Sequence, residues 1–254
     1  MLEVRNLTKR FREIPVVEKV SFIARPGEVT GYLGPNGSGK STTVKIICGL
    51  MDPSEGEILW RGAPVHRDWE AFKARLGYVP EEPYLYPYLT GSEYLELVGQ
   101  LREMPEAALR RKIGGFLDLL GLYEDRYTPL SAYSKGMRQK ILLAAALLHD
   151  PEMIILDEPF SGLDVNSSLI LRRLIKSLAE SGKTVLFSSH ELDTVERVSS
   201  RVVILYKGKV VADDSVDSLR GMMHLPNLEE IFRQLAVEQD TDAVAGDLMQ
   251  VIQS

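Results

Sequence analysis

The feature that most constrains this chain is a glycine-rich loop at residues 34–42, which reads Gly-Pro-Asn-Gly-Ser-Gly-Lys-Ser-Thr. A predicted strand precedes it and a predicted helix follows it, so the loop matches the phosphate-binding pattern in the expected setting. Glycines allow backbone N–H groups to point at anionic oxygens, and the start of the helix adds partial positive charge. The alternative interpretation is a glycine turn with a surface lysine.

The loop pattern predicts which part of a bound nucleotide each residue contacts. Lys40 is expected to reach the β- and γ-phosphates, and the Ser41 hydroxyl is expected to hold Mg²⁺. The predicted nucleotide-binding residues of the loop are Gly34, Pro35, Asn36, Gly37, Ser38, Gly39, Lys40, Ser41 and Thr42.

Composition limits the other function classes. The 254 residues carry a net charge of −6, which argues against a protein that coats nucleic acid. Cys48 is the only cysteine, so no intrachain disulfide can form, and its apolar neighbours predict a buried, unreactive thiol. The apolar run at 141–148 is too short to cross a bilayer, and residues 1–5 lack a signal-peptide core. We therefore expect a cytoplasmic protein that has a membrane role only through a partner.

Hydrophobic patterns predict an α/β fold with parallel strands, because short buried strands alternate with helices. Strands are predicted at 2–7, 16–23, 28–33, 56–62, 76–80, 153–156, 184–189, 201–206 and 209–212, and helices at 68–74, within 92–148, at 167–181 and at 191–198. The helical stretch predicts a subdomain inserted at about 82–150 in a single domain over 1–220. Residues 221–254 are expected to form a partly mobile extension with helices at 228–235 and 243–252.

Acidic residues and a histidine follow two of the predicted strands. Asp157 and Glu158 end the buried strand that begins at Met153, and a parallel strand beside the phosphate loop points its carboxyl end at the nucleotide. Asp157 is expected to hold Mg²⁺, and Glu158 is expected to act as the general base on the attacking water. His190 follows the strand at 184–189 on the same edge and is expected to bond the γ-phosphate and that water. The alternatives are two solvated acids and a structural histidine.

With these motifs in order, the chain resembles the nucleotide-binding subunit of an ABC transporter over residues 2–219. Residues 34–42 match Walker A, 153–158 match Walker B, 161–164 match the D-loop, and His190 matches the switch histidine. The signature, usually Leu-Ser-Gly-Gly-Gln, reads Tyr-Ser-Lys-Gly-Met at 133–137. The resemblance implies a P-loop NTPase core with a mainly parallel sheet, an N-terminal antiparallel β subdomain and a helical insert. It also implies ATP and Mg²⁺ as ligands.

The resemblance further implies a head-to-tail dimer, homomeric or heteromeric. Ser134 and Gly136 of one chain are expected to contact the γ-phosphate of ATP held by the other chain, and Lys135 and Asp164 are expected to join them. Integral membrane transport subunits are the other expected partners, which would place the protein peripherally on the inner face of the cell membrane. The insert and residues 81–90 are expected to form the groove for a short helix of the membrane subunit. Alternatively, the tyrosines in that segment cover the subdomain's own core.

Two further positions are assigned through the resemblance. Glu81 stands where the family usually has the Q-loop glutamine, and its carboxylate is expected to ligate Mg²⁺. The competing interpretation is that Glu81 faces solvent and is equivalent to Glu82. Phe11 lies where the family usually has an aromatic residue and is expected to stack on adenine; otherwise it is a partly covered surface ring.

The resulting hypothesis is an ATPase that powers a membrane transporter, similar to the exporter-type branch that handles drugs, glycans or lipids. A second hypothesis is a soluble ABC ATPase that acts on nucleic acid or ribosomes. Such relatives usually carry two ATPase domains or a long coiled-coil insert, whereas this chain has one Walker A motif and no sustained heptads. A third hypothesis, a non-hydrolysing module, is disfavoured because Glu158 and His190 are both present.

Overall fold

The computed structural model of the chain describes residues 1–223, with ten strands and eight α-helices in that part. The strands are β1 (Leu2–Phe11), β2 (Ile14–Ala24), β3 (Val29–Leu33), β4 (Glu55–Trp60), β5 (Ala63–Pro64), β6 (Leu76–Val79), β7 (Met153–Asp157), β8 (Thr184–Ser189), β9 (Arg201–Tyr206) and β10 (Lys209–Ser215). The helices are α1 (Lys40–Ile47), α2 (Trp69–Ala74), α3 (Gly91–Leu101), α4 (Glu106–Leu119), α5 (Lys135–Leu147), α6 (Val165–Glu180), α7 (Leu192–Val198) and α8 (Val216–Met223). Of the extension predicted at 221–254, the first three residues belong to α8, and the predicted helices at 228–235 and 243–252 lie outside the described residues.

The main sheet has six strands in the order β10-β9-β3-β8-β7-β6. Its strands run parallel except for β10, which pairs antiparallel with β9 at the edge. Leu33 at the end of β3 pairs with Ser189 at the end of β8, and Asp157 at the end of β7 pairs with Ser188. This register brings the segments that follow β3, β7 and β8 to one edge of the sheet, where ligands bind in open parallel sheets.

A second, antiparallel sheet has the order β2-β1-β4-β5. One hydrophobic core lies between this sheet, α1 and one face of the main sheet; it includes Leu2, Val4, Phe22, Tyr32, Val44, Ile155 and Leu186. A second core covers the opposite face of the main sheet with α5, α6, α7 and α8; it includes Ile154, Leu156, Phe187, Leu171, Val195 and Leu219. The two sheets and their helices confirm the predicted α/β fold, including its antiparallel N-terminal part.

Helices α3, α4 and α5 share a third hydrophobic core, which includes Leu95, Leu109, Ile113, Leu117 and Tyr133. Residues 141–147 of helix α5 are all buried, as the apolar run at 141–148 predicts. Its Ile141 and Ala144 pack in the third core, whereas its Leu143 and Leu147 pack against the main sheet. Helix α5 therefore joins the helical region to the sheet that carries the site.

Strand β1 continues to Phe11, past the end predicted at residue 7. The register against β2 shifts between Val4 and Leu7, and Asn6 has a φ of +46°. Such an irregularity interrupts the alternation of side chains while hydrogen bonding between the strands continues. The sequence pattern therefore stops before the strand does. None of the helices described in residues 1–223 is both long and apolar enough to span a membrane.

Candidate active site

The loop between β3 and α1 closes around the side chain of Lys40. The Lys40 Nζ atom donates hydrogen bonds to the carbonyl oxygens of Gly34 at 2.7 Å and Pro35 at 3.2 Å. Gly39 caps α1 with a φ of +105°, and a Cβ there would lie 2.7 Å from the Val16 carbonyl oxygen. Only glycine accommodates that backbone and that approach, so the sequence forces the loop to turn inward at this position.

Lys40 is buried within a group of carboxylates. Its Nζ lies 3.9 Å from the Glu158 Oε1 atom. Burial lowers the pKa of Lys40, and the negative charges of Glu158, Asp157 and Glu81 oppose that shift. The Lys40 ammonium group is partly shielded from water. Its attraction to an anion is therefore screened less than it would be in bulk water.

Asp157 and Ser41 form a pair of hard oxygen donors at the end of β7. The Ser41 hydroxyl lies 3.5 Å from the Asp157 Oδ1 atom, which also accepts a hydrogen bond from the Ser188 hydroxyl. No cluster of three or more His, Cys, Asp or Glu side chains in the described chain is arranged to hold a metal by itself. This donor set fits Mg²⁺, which usually binds one or two protein oxygens together with waters and substrate phosphates.

Glu158 is paired with His190 across β7 and β8. The His190 Nδ1 atom lies 2.9 Å from the Glu158 Oε1 atom. Glu158 has a φ of +47°, a costly conformation for a residue with a side chain, and its backbone N–H bonds the Ser188 carbonyl at 3.2 Å. Burial raises the pKa of Glu158, while His190 and Lys40 oppose the rise. A carboxylate whose pKa moves toward neutrality is better matched to general base catalysis.

Lys40, Ser41 and Glu158 line one cavity of about 340 Å³, whereas Asp157 and His190 are not among its lining residues. It is lined by Val16, Asn36, Gly37, Gly39, Lys40, Ser41, Thr42, Glu81 and Glu158. Asn36 also lines a smaller cavity, together with Gly34, Pro35 and His190. Val16 was not predicted as a site residue, because a valine in a strand carries no signal beyond strand formation.

Two adjacent acids that the sequence left equivalent have different surroundings. Glu81 lines the cavity and contributes negative charge at Lys40 and Glu158. Glu82 instead accepts a hydrogen bond from the Tyr84 hydroxyl at 2.5 Å. Glu81 is therefore the acid that faces the glycine-rich loop.

Phe11 lies outside the set of residues that line the cavity. It ends β1, pairs with Ile14 across the hairpin, and is 45% exposed. The Lys9 Nζ atom lies 5.3 Å from the centre of its ring. The ring is thus accessible on the hairpin whose second strand supplies Val16 to the cavity.

The signature residues also lie away from this cavity, against their own D-loop. Ser134 caps α5 by accepting from the Met137 N–H at 3.2 Å, and Lys135 donates to the Ser161 hydroxyl at 2.9 Å. A Cβ at Gly136 would lie 3.0 Å from the Gly162 carbonyl oxygen. None of these residues is among those that line the Lys40 cavity.

Asp164 caps a helix, and Cys48 is buried. Asp164 caps α6 by accepting from the Ser167 N–H at 2.9 Å, and its bonds to Ser167 lower the pKa of Asp164. Cys48 is buried, and burial raises the pKa of its thiol, as expected for an unreactive cysteine.

Comparison with known proteins agrees with this architecture. The family pattern described as "ABC transporter" matches residues 17–161. An uncharacterized ABC transporter ATP-binding protein of Nostoc sp. is 45% identical over 79% of this chain and 60% of its own length. The chain thus spans well under the full length of that relative. The linearmycin resistance ATP-binding protein LnrL of Bacillus subtilis is 35% identical over 84% of this chain and 68% of its own length.

Solved structures extend the comparison to the fold. One described as an ATP-binding subunit of an ABC transporter is 34% identical and has a TM-score of 0.87, covering 92% of this chain and 99% of that one. A dimeric ATP-binding cassette in a post-hydrolysis state, bound to ADP and Pi, is 27% identical and has a TM-score of 0.77, covering 85% and 98%. The chain therefore belongs to the ABC transporter family.

Proposed function

We propose that the chain hydrolyses MgATP in a head-to-tail dimer and thereby powers transport through separate membrane subunits. The observation that carries the proposal is the convergence of Lys40, the Ser41–Asp157 pair and the Glu158–His190 pair at one edge of the sheet. In this proposal Lys40 binds phosphate oxygens, Ser41 and Asp157 hold the Mg²⁺ that accompanies ATP, and Glu158 accepts a proton from water. His190 orients Glu158 and bonds the γ-phosphate.

A partner chain would bring further anion-binding groups to the Lys40 cavity. Ser134, Lys135 and Gly136 surround the N-terminus of α5, whose first turn contains no acidic residue. A helix N-terminus with a neighbouring lysine attracts anions. We propose that these residues, with Asp164 in the D-loop, contact ATP held by the partner chain, homomeric or heteromeric. The dimeric ABC neighbour that binds ADP and Pi supports this arrangement.

Complementation tests the head-to-tail arrangement. Lys40→Ala disables the phosphate loop, and Ser134→Arg places a bulky cation at the signature. Each variant alone is expected to be inactive as a dimer. An equimolar mixture should recover about a quarter of the wild-type rate, because half of the dimers are mixed and each has one intact composite site. A mixture as inactive as the single variants would contradict the arrangement, and unfolding midpoints near that of wild type are the folding control.

The membrane partner is proposed to dock beside the helical region. Tyr84, Tyr86 and Tyr88 are 81%, 63% and 91% exposed, so most of the surface of each side chain is open to solvent. Exposed aromatic residues are typical of interfaces. We propose that the subdomain at about 82–150 and this segment accept a helix of the membrane subunit, which places the protein peripherally on the inner face of the membrane. The linearmycin resistance relative supports an exporter-type role.

Glu81 is proposed as a ligand on the Mg²⁺ side of the nucleotide, directly or through water. Glu81→Ala should raise the Mg²⁺ concentration needed for half-maximal ATPase activity several-fold, because it removes a hard oxygen donor from the cavity. Glu81→Gln should retain most activity, since its amide oxygen also ligates. Glu82→Ala is the matched control and should keep the wild-type Mg²⁺ curve. Superimposable curves for wild type and Glu81→Ala would exclude the ligand role.

Phe11 is proposed to stack on adenine. Phe11→Ala should weaken ATP binding by roughly 1–3 kcal/mol, the range for base–aromatic stacking. Ile14→Ala, at the exposed cross-strand neighbour, is the matched control and should not change affinity. Calorimetric titration of each variant with ATP measures the difference. Equal affinity for wild type and Phe11→Ala would identify the ring as a surface residue only.

A further inference from the structure

Lys135 stands in the signature at a position where the family usually has glycine, so its side chain is an addition to the usual pattern. That side chain lies against the D-loop of its own chain. Its Nζ atom donates a hydrogen bond to the Ser161 hydroxyl at 2.9 Å. Its methylene groups lie over Gly162, where a Cβ would be 3.0 Å from the Lys135 Cδ atom. Lys135 therefore connects two segments that are far apart in the sequence.

The D-loop that Lys135 contacts begins directly after the end of β7. The Ser161 N–H bonds the Glu158 carbonyl oxygen at 3.1 Å, and Asp164 at the other end of the loop caps α6. Gly162 has a φ of +78°, which favours glycine, and the methylene groups of Lys135 occupy the space that a larger residue would need. The contact thus fixes the loop between the proposed general base and Asp164.

The stability of α5 does not explain a lysine at this position. Lys135 is the first residue of α5, and the partial positive charge of a helix N-terminus disfavours a cation there. The first turn of α5 contains no acidic residue that would offset this repulsion. An ammonium group has three N–H donors, so the bond to Ser161 leaves two donors for phosphate oxygens of ATP in the partner chain.

We propose that Lys135 is a positioning residue, which fixes the D-loop against the signature so that both meet the partner chain in one arrangement. The inference rests on the proposed head-to-tail dimer. Fixing a loop before association removes part of the ordering cost that association otherwise carries. Lys135 therefore favours the ATP-bound dimer through Ser161, in addition to the effect of its own charge on phosphate.

Hydrogen–deuterium exchange on the nucleotide-free full chain tests the contact without a dimer. Lys135→Met keeps most of the methylene packing and removes the donor, so it should speed exchange of the D-loop amides at least about threefold. Lys135→Arg keeps a donor and should stay near wild type. Lys176→Met is the matched control, because Lys176 is exposed on α6 about 18 Å beyond Asp164. Unchanged D-loop exchange in Lys135→Met would overturn the proposal.

A double-mutant cycle with Ser161→Ala tests the role of the contact in the dimer. Analytical ultracentrifugation with ATP measures dimer dissociation in a Glu158→Gln parent chain. Lys135→Met should raise the dissociation constant about tenfold in the parent, but at most about threefold when Ser161 is already alanine. Equal effects in the two backgrounds, or no effect in the parent, would overturn the positioning role. A parent that stays monomeric with ATP would instead contradict the proposed function, and the exchange measurement would still decide the contact.

Discussion

Glu158→Gln is expected to lower ATP turnover at least about a hundredfold, because positioned acid–base catalysis typically contributes 10²–10⁴. Glutamine keeps the shape of the side chain and can still meet the His190 Nδ1 atom, which lies 2.9 Å from the carboxylate. It cannot accept a proton from water. ATP binding should remain intact, and the variant should accumulate as an ATP-bound dimer. Phosphate release and size-exclusion chromatography with ATP measure the two effects.

The matched control is Glu82→Gln, which alters an acid bonded to Tyr84 and should preserve turnover. The pH dependence gives an independent readout. Burial raises the pKa of Glu158, so acidification protonates it earlier than an ordinary glutamate, and wild-type turnover should fall as the pH drops through that pKa. The residual activity of Glu158→Gln should lack this dependence. Wild-type turnover in Glu158→Gln would remove Glu158 from the mechanism.

Lys40→Ala is expected to weaken ATP binding itself by about ten- to hundredfold, the range for a lost hydrogen bond to a charged group. Lys40 is the only side-chain cation in residues 34–42, and it is buried beside the loop carbonyls. Its loss also removes the buried positive charge that opposes Glu158, Asp157 and Glu81, so these carboxylates repel phosphate more strongly.

Lys45→Ala is the matched control, because Lys45 lies on the same helix but is exposed to solvent. Calorimetric titration with ATP at fixed Mg²⁺ should separate the two lysines. If Lys40→Ala and Lys45→Ala bound ATP equally well, charge alone at this helix, rather than the loop geometry, would govern affinity.

Local sequence was sufficient to locate most of the proposed site. Residues 34–42 specify a loop through glycines and a lysine at fixed spacing, and the apolar run before Asp157 specifies a buried strand that ends in acids. These signals are short in range, because backbone freedom and hydrophobic burial act within a few residues. The same patterns determined the α/β fold and the buried helix α5.

Contacts between distant segments were decided only by the tertiary structure. The pairing of Glu158 with His190 requires the register of β7 against β8 and the left-handed backbone at Glu158, neither of which a local pattern encodes. The difference between Glu81 and Glu82 arises from which side chain meets the cavity and which meets Tyr84. Packing joins residues far apart in the chain, so its outcome depends on the whole fold and cannot be derived from one segment.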